Sequence, residues 1–205
     1  YHGFYMTDYR EINRTLKNNV NMNNLRETST KLYLIRPSFI FQEEPLVDII
    51  YSIYRDISEY FDIPISSIYI TGSAHLGFSL KDDHDFSCDS DLDIAIIDSN
   101  LFNKYLNKIL SESNGYTRND GFFRNEIHDN LYSYKKNICK GKIHPLYFPN
   151  GNTKIEWRHF FDKISREYSK YFKNITGCIY LSEECFQLSQ EDSLNKFSIT
   201  NGVTI

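Results

Sequence analysis

Two aspartates, Asp91 and Asp93, stand two residues apart at the start of an apolar run that continues through residues 94–97. Side chains two apart in a strand leave the same face, so these carboxylates are expected close together at one end of a sheet. Carboxylates that close repel each other unless a cation lies between them, and an unpaired charge beside a buried strand is costly. Hard oxygen ligands select magnesium or manganese. The pair therefore predicts a site for Mg²⁺ or Mn²⁺.

A second feature, the pair Gly72 and Ser73, ends a β-branched and aromatic segment at residues 67–71, and the residues after it suit the start of a short helix. A glycine at such a turn lets a phosphate approach the backbone, while the serine hydroxyl and the free amides of the helix start can donate to it. The glycine and serine alone are a weak signal. Next to the two aspartates, they predict a site for a metal-bound nucleotide.

The elements that must position these residues follow from hydrophobic spacing. Helical periodicity predicts helices over 45–61, 101–110 and 157–172, with a last helix after Ser182, and β-branched or apolar runs predict strands over 67–71, 91–97 and 142–148. Residues 8–30 have only a thin apolar stripe and predict a weak helix or a loosely docked lead-in. Residues 111–141 are polar and predict an extended excursion that could cover a site.

The bulk composition limits the classes of partner. The chain has 205 residues and a formal net charge of −4, with basic residues scattered, which argues against a grip on long DNA or RNA. No apolar run approaches the roughly 20 residues that span a bilayer, so no membrane partner is expected. The four cysteines form no close pairs, which indicates reduced thiols and a cytoplasmic location. The acidic segment at residues 81–90, with Asp82, Asp83 and Asp85, reads as a solvated loop.

The stretches "GSAHLGFSL" and "SDLDIAII" together resemble the signature of the DNA polymerase beta-like nucleotidyltransferase superfamily, in a small, minimal form. The resemblance covers residues 46–110 and implies an α+β fold with a small mixed sheet flanked by helices. Residues 1–150 would form the nucleotidyltransferase core with its helical lead-in, and residues 151–205 a C-terminal helical segment packed on it. Gly72 and Ser73 would bind the triphosphate, and Asp91 and Asp93 would hold the metals.

This family commonly uses a third carboxylate on a following strand, where it completes a metal site and can serve as a base. The predicted strand at 142–148 has no acidic residue. His144 is the candidate for the base, and Glu126 or Asp129 could fold in from the excursion. The resemblance also implies a basic side chain that contacts the triphosphate. The sequence leaves open whether this is Lys81, Lys142 or Arg124.

Two functions follow from the resemblance. The first is metal-dependent transfer of a nucleoside monophosphate from a nucleoside triphosphate such as ATP to a hydroxyl on a protein, a small molecule or an RNA end, in a setting such as a bacterial toxin–antitoxin or phage-defence system. The alternative is a catalytically degenerate member of the same fold that acts as a nucleotide sensor or as a subunit with a protein partner. A calcium loop is excluded because Ile94 replaces the required glycine. A Ser73–His75 hydrolase pair is disfavoured because no elbow motif surrounds it, and a zinc site is disfavoured because close ligand pairs are missing.

Overall fold

A computed structural model of the chain describes residues 8–199. Within that range the protein has the expected α+β class, with a mixed sheet flanked by helices; the sheet has four strands and there are eight α-helices. The helices are α1 (Tyr9–Asn18), α2 (Leu25–Thr30), α3 (Glu44–Phe61), α4 (Gly72–Leu76), α5 (Ser99–Glu112), α6 (Asn130–Ile138), α7 (Asn152–Glu167) and α8 (Glu183–Leu194). The strands are β1 (Ile68–Thr71), β2 (Leu92–Ile97), β3 (Lys142–Ile143) and β4 (Ile175–Tyr180).

The strands lie in the order β1-β2-β4-β3. β2 pairs antiparallel with β1 and parallel with β4, and β4 pairs antiparallel with β3. Sequence periodicity predicts no strand where β4 lies, yet β4 separates β2 from β3 at the centre of the sheet. The segment 151–205 therefore supplies a central strand as well as helices.

The strand predicted over residues 142–148 is wrong in extent. Only Lys142 and Ile143 pair with β4, and the chain then turns into a 3₁₀ helix at Pro145–Tyr147. Proline has no amide hydrogen to donate to a strand ladder, so pairing stops before Pro145. This places β3 at the sheet edge, with β4 between it and β2.

The two faces of the sheet bury different sets of side chains. Leu92, Ile94 and Ile96 of β2 pack on one face in the larger core, with side chains from α3, α5 and α7. The opposite face carries Ala95 and Tyr180 in a smaller core. The other members of this smaller core come from the N-terminal region, from α4 and the residues just after it, and from α8: Leu32, Tyr33, Leu76, Phe78, Phe186 and Leu194.

The N-terminal lead-in is helical and docked, so of the two predicted alternatives the loosely docked lead-in is wrong. Asn13 of α1 is buried and donates to the carbonyl of Leu76 over 3.0 Å, while its own side-chain oxygen accepts from Nε of Arg36 over 2.8 Å. A buried amide with both ends satisfied fixes the helix in one place.

The acidic residues Asp82, Asp83 and Asp85 are exposed, as expected of a solvated loop, and two of them also form ion pairs with α1. Nη2 of Arg14 lies 2.5 Å from Oδ1 of Asp85, and Arg10 contacts the other oxygen of the same carboxylate. Lys17 pairs with Asp83 over 3.4 Å. Asp83 and Asp85 therefore hold this part of the segment 81–90 on the N-terminal helix.

Helices α2 and α8 are joined across the smaller core. The guanidinium of Arg26 contacts Glu184 over 2.6 Å and Glu191 over 3.1 Å, so one arginine bridges two turns of α8. This pairing holds α8 over the sheet face that carries Asp93. Nowhere in residues 8–199 is there a helix with the length and apolar content needed to cross a membrane.

Candidate functional site

Asp93 lies on β2 at the point where three strands meet in register. Its Cα partners are Thr71 on β1 and Thr176 on β4. The hydroxyl of Thr176 donates to Oδ1 of Asp93 over 2.9 Å, and the hydroxyl of Thr71 donates to the Asp93 carbonyl over 3.3 Å. The carboxylate is thus oriented by its neighbours while remaining half-buried.

Gly72 brings the turn after β1 directly against this carboxylate. Its φ of +63° lies in the left-handed region that glycine adopts without strain, and β1 passes straight into α4 there. A Cβ added at this position would collide with Oδ2 of Asp93. The close approach of backbone and carboxylate is therefore a reason for glycine at position 72, besides the backbone conformation.

The charge of Asp91 acts on the half-buried carboxylate of Asp93. Burial raises the pKa of Asp93 above its ordinary value, and the charge of Asp91 raises it further, whereas the hydrogen bond from Thr176 and the charge of Lys142 lower it. Asp91 is exposed at the start of β2, and its Oδ1 accepts from the side-chain amide of Asn174 over 2.9 Å. A cation between the two carboxylates would relieve both the burial and the repulsion.

A cavity of about 250 Å³ opens between this face of the sheet and α8. It brings together Gly72, Asp93 and His144 from the predicted site residues, while Ser73 and Asp91 lie outside its lining. Lys142 also faces it, which distinguishes that residue from Lys81 and Arg124. The full lining is Thr71, Gly72, Asp93, Ile94, Lys142, His144, Thr176, Cys178, Tyr180, Ser189, Gln190 and Ser193.

His144 is a neutral imidazole at physiological pH. Burial, followed by the positive charge of Lys142, lowers its pKa to about 4. Its Nδ1 accepts weakly from the amide of Leu146 at 3.4 Å, and its ring packs on Tyr147 with 5.2 Å between centroids. A neutral ring with a free nitrogen can accept a proton, although a pKa this low makes it a weak base.

The third-carboxylate candidates do not reach the site. Asp129 caps α6 by accepting from the amide of Tyr132 over 2.8 Å and pairs with Arg124, and Glu126 is exposed in the loop before it. The strand beside β2 is β4, and the residue facing Asp93 there is Thr176. Within residues 8–199, no cluster of three or more His, Cys, Asp or Glu side chains is placed to hold a metal. The acidic content of the site is the pair Asp91 and Asp93.

The disfavoured Ser73–His75 hydrolase pair lacks the geometry of a nucleophile and its base. His75 is turned away from Ser73 and lies between Ser38, whose Oγ is 2.7 Å from Nδ1, and the carbonyl of Leu32, 2.6 Å from Nε2. Because the carbonyl can only accept, His75 donates through Nε2 and accepts from the Ser38 hydroxyl. His75 is thus a satisfied core residue, and no Ser–His nucleophile pair is formed.

Sequence reasoning missed the side chains that β4 and α8 bring to the cavity. On β4 these are Thr176, Cys178 and Tyr180, which alternate with the buried Ile175 and Ile179. That alternation is the signal that could have identified the strand. On α8 they are Ser189, Gln190 and Ser193, and serine and glutamine on a helix carry no signal of a site without the fold.

The arrangement fits a divalent cation held by Asp91 and Asp93, since Mg²⁺ is commonly bound by one or two carboxylates plus water and substrate phosphates. The cavity beside the carboxylates has room for polar groups of a ligand. The positively charged side chain of Lys142 and the neutral imidazole of His144 line it. A scan of the chain against protein-family models, a search of curated proteins and a search of solved structures each found no match.

Proposed function

We propose that the protein is a metal-dependent nucleotidyltransferase that moves a nucleoside monophosphate from a nucleoside triphosphate to a hydroxyl of an acceptor molecule. The observation that carries this proposal is the contact between the Gly72 turn and the half-buried carboxylate of Asp93, with Asp91 beside it. A tight glycine turn beside two aspartates at the start of a central strand is the arrangement that the resemblance implies.

In the proposed reaction, the acceptor oxygen forms a bond to the α-phosphorus while the bond from that phosphorus to the β-phosphate oxygen breaks. Pyrophosphate leaves, and the proton of the hydroxyl passes to a base. A divalent cation at Asp91 and Asp93 would stabilise charge on the entering and leaving oxygens. The turn at Gly72 would hold the phosphates near Asp93, and His144 is positioned in the same cavity to accept the proton.

The acceptor class stays open among a protein, a small molecule and an RNA end. The cavity of about 250 Å³ is lined on one side by Ser189, Gln190 and Ser193 of α8, and its volume does not select among these acceptors. The four cysteines are free thiols, which supports a reducing compartment such as the cytoplasm as the place of action.

The second candidate is a nucleotide sensor that binds but does not transfer, and it is favoured by Thr176. Where a third carboxylate would face Asp93 across the parallel strand pair, the chain presents a hydroxyl. A site with two carboxylates can bind a metal nucleotide and yet lack the ligand or base that chemistry requires.

One experiment separates the two candidates. The purified protein is incubated with α-³²P-labelled nucleoside triphosphates, Mg²⁺ or Mn²⁺, and candidate acceptors in a cell extract, and label transfer is measured for the wild type, Asp91→Asn, Asp93→Asn and Asp89→Asn. Asp89 is an exposed aspartate just before the site, so its variant is the matched control. Transfer that falls about a hundredfold or more in the first two variants alone supports the enzyme.

A variant can also lose label transfer because it misfolds. The melting temperature of each variant, measured by thermal unfolding, distinguishes misfolding from loss of a functional group. Asn keeps the shape of Asp, and removing a carboxylate whose pKa is raised by burial should leave the fold intact or stabilise it. Tight nucleotide binding without any transfer in the wild type would overturn the enzyme proposal and favour the sensor.

A further inference from the structure

The excursion at residues 111–141 and the 3₁₀ helix that follows β3 expose several large apolar side chains. Those that are more than half exposed are Phe123, Ile127, Tyr132 and Leu146. Ile127 is the most exposed of them, at 83%. Single exposed apolar residues are common on protein surfaces, whereas a group of them in one place marks a site of interaction. We call these four residues the apolar patch.

Asn130, at the start of α6, joins the parts of the apolar patch. Its backbone amide donates to the carbonyl of Phe123 over 3.0 Å, and its side-chain amide donates to the carbonyl of Leu146 over 3.3 Å. Tyr132 follows two residues later in the first turn of α6. Residues that are distant in sequence are therefore neighbours on one surface.

Ile127 lies at the tip of a tight loop. The side-chain oxygen of Asn125 accepts from the amides of Ile127 and His128 over 2.9 and 2.6 Å, and the amide of Asn125 donates to the carbonyl of His128 over 2.9 Å. Arg124 and Asp129 close the loop as an antiparallel bridge. These bonds hold Ile127 in a defined position, which reduces the entropy that a partner must overcome on binding.

The apolar patch begins at the rim of the candidate site. The backbone amide of Leu146 donates to Nδ1 of His144 over 3.4 Å, and His144 lines the cavity together with Asp93. A polypeptide bound on Leu146 is therefore within a few residues of the cavity.

The exposed face of α6 continues from the apolar patch as a basic surface. Residues 130–142 contain four lysines and no acidic residue, in a chain whose net charge is −4. Lys135 and Lys136 are exposed in the last turn of α6, and Lys136 is one turn from Tyr132 on the same face. In the part of the chain that the structure describes, neither lysine forms an ion pair. Acidic side chains on a partner complement this surface, because opposite charges steer and orient association.

A protein fits this surface better than an RNA strand does. Ile127 and Leu146 have no ring on which a base could stack. An RNA strand also carries a phosphate at every nucleotide, including the position beside the exposed carboxylate of Glu126. A protein segment can instead place apolar side chains at the loop and acidic side chains only along α6.

We propose that the apolar patch and the lysines of α6 dock a protein segment that carries large apolar and acidic side chains, and that this protein is the acceptor in the transfer reaction. The docking is independent of the proposed function, whereas the role as acceptor rests on it. A hydroxyl of the docked protein bonds to the α-phosphorus as pyrophosphate leaves, and its proton passes to a base.

The probe for docking is a phage-displayed library of random dodecapeptides, selected on the immobilised full chain. The selected peptides are synthesised with a fluorophore, and their Kd is measured by fluorescence anisotropy. We expect peptides rich in Asp, Glu and large apolar residues. The double variant Ile127→Ser/Leu146→Ser should weaken their binding by about tenfold or more, because it removes the apolar contacts. Because both side chains are exposed, its melting temperature should stay close to that of the wild type.

Two further variants complete the binding test. Ile35→Ser is the apolar control, since Ile35 is as exposed and belongs to the N-terminal region that packs on α4, at the opposite edge of the sheet from β3. Lys135→Glu/Lys136→Glu should weaken binding by about tenfold at low salt and by less at high salt. Lys104→Glu, an exposed lysine of α5, is the charge control. Both controls should bind within about twofold of the wild type.

Three results would overturn the docking surface. The first is that no selected peptide loses affinity for Ile127→Ser/Leu146→Ser, and the second is that the selected peptides lack acidic residues. The third uses single-stranded poly(U) RNA as a second probe. If RNA binds more tightly than every selected peptide, and its binding is lost in Lys135→Glu/Lys136→Glu but not in the apolar double variant, the surface belongs to RNA.

The role as acceptor is tested by adding labelled ATP and Mg²⁺ to selected peptides that contain Ser, Thr or Tyr. We expect label on the peptide, with a KM raised about tenfold in Ile127→Ser/Leu146→Ser and a kcat close to that of the wild type, because the patch lies outside the reacting atoms. If the peptides bind but no acceptor of any class is labelled, the proposed function fails and the docking surface stands. If small molecules or RNA are labelled and the bound peptides are not, the role as acceptor fails.

Discussion

Gly72 and Asp93 are in such close contact that a hydrogen atom is the largest side chain that fits at position 72. The contact joins the turn after β1 to the carboxylate of β2, and these are the two motifs that the sequence places far apart. It makes the geometry of the candidate site sensitive to a single methyl group.

Gly72→Ala should therefore reduce metal binding more than it reduces stability. The new Cβ meets the end of the Asp93 side chain, which can rotate away, so the fold survives while the carboxylate is displaced. We expect Mn²⁺ affinity, measured by electron paramagnetic resonance, to fall by about tenfold or more.

Gly115→Ala is the control for the stability cost of placing alanine in a left-handed backbone conformation. Gly115 has a φ of +66°, close to that of Gly72, but a Cβ there meets nothing within 4 Å. Both variants should lose roughly 1–2 kcal/mol of stability to the left-handed conformation. Equal Mn²⁺ affinity in the two variants would contradict the role given to the contact.

Thr176→Asp should create the third carboxylate that the chain lacks. Without metal, the added charge faces Asp93 and should lower the melting temperature, because like charges at a half-buried site repel. With Mn²⁺ the third ligand should tighten binding by about tenfold. Thr176→Asn, which has the same shape without the charge, should do neither, and identical behaviour of the two variants would count against a metal at Asp93.

His75 should make stability depend on pH in the mildly acidic range. Burial lowers the pKa of His75 below its ordinary value, so between the two values the unfolded chain binds a proton that the folded chain does not. Stability is then full above about pH 6.5 and falls as the pH decreases, by at most about 1.4 kcal/mol per pH unit from this one proton.

The measurement is the urea unfolding free energy between pH 5 and pH 8. His75→Gln can still donate to Leu32 and accept from Ser38, so it should fold with a flatter pH profile. A profile as steep as that of the wild type would assign the effect to other groups.

The ion pairs of Asp85 should hold the loop at residues 81–90 against α1. Asp85→Asn removes the partner of both Arg10 and Arg14, so trypsin should cleave after Lys81 several-fold faster than in the wild type. High salt should accelerate cleavage of the wild type in the same direction, since these pairs are partly exposed. Asp82→Asn is the control because Asp82 makes no ion pair with α1, and equal cleavage of both variants would contradict the docking.

The parts of the fold that the sequence predicts are those with strong local patterns. The apolar stripe of α3 and the apolar run of β2 are each recognisable from a short stretch of sequence. The same is true of Asp91 and Asp93 at the start of β2. The local sequence therefore identifies Asp91 and Asp93, the two acidic residues of the candidate site.

The parts that sequence reasoning missed depend on distant partners. β4 is interrupted by Gly177, which weakens a strand pattern, yet a Cβ there would press on the ring of Phe161, so packing of α7 requires the glycine. Because the sequence did not predict β4, it did not predict that Thr176 lies opposite Asp93. It also did not predict that α8 lines the cavity that Lys142 faces. Parallel pairing of β2 and β4 joins residues about 80 positions apart, and no local window of sequence contains that contact.

The central place of β4 also sets a condition on synthesis at the ribosome. Until residues up to Tyr180 have emerged, β2 has an open edge with no neighbour, and β3 has nothing to pair with. The nascent chain must therefore carry the apolar run Leu92–Ile97 with one edge unpaired while residues 98–180 are made. A chaperone that shields this edge during synthesis should therefore raise the yield of native protein.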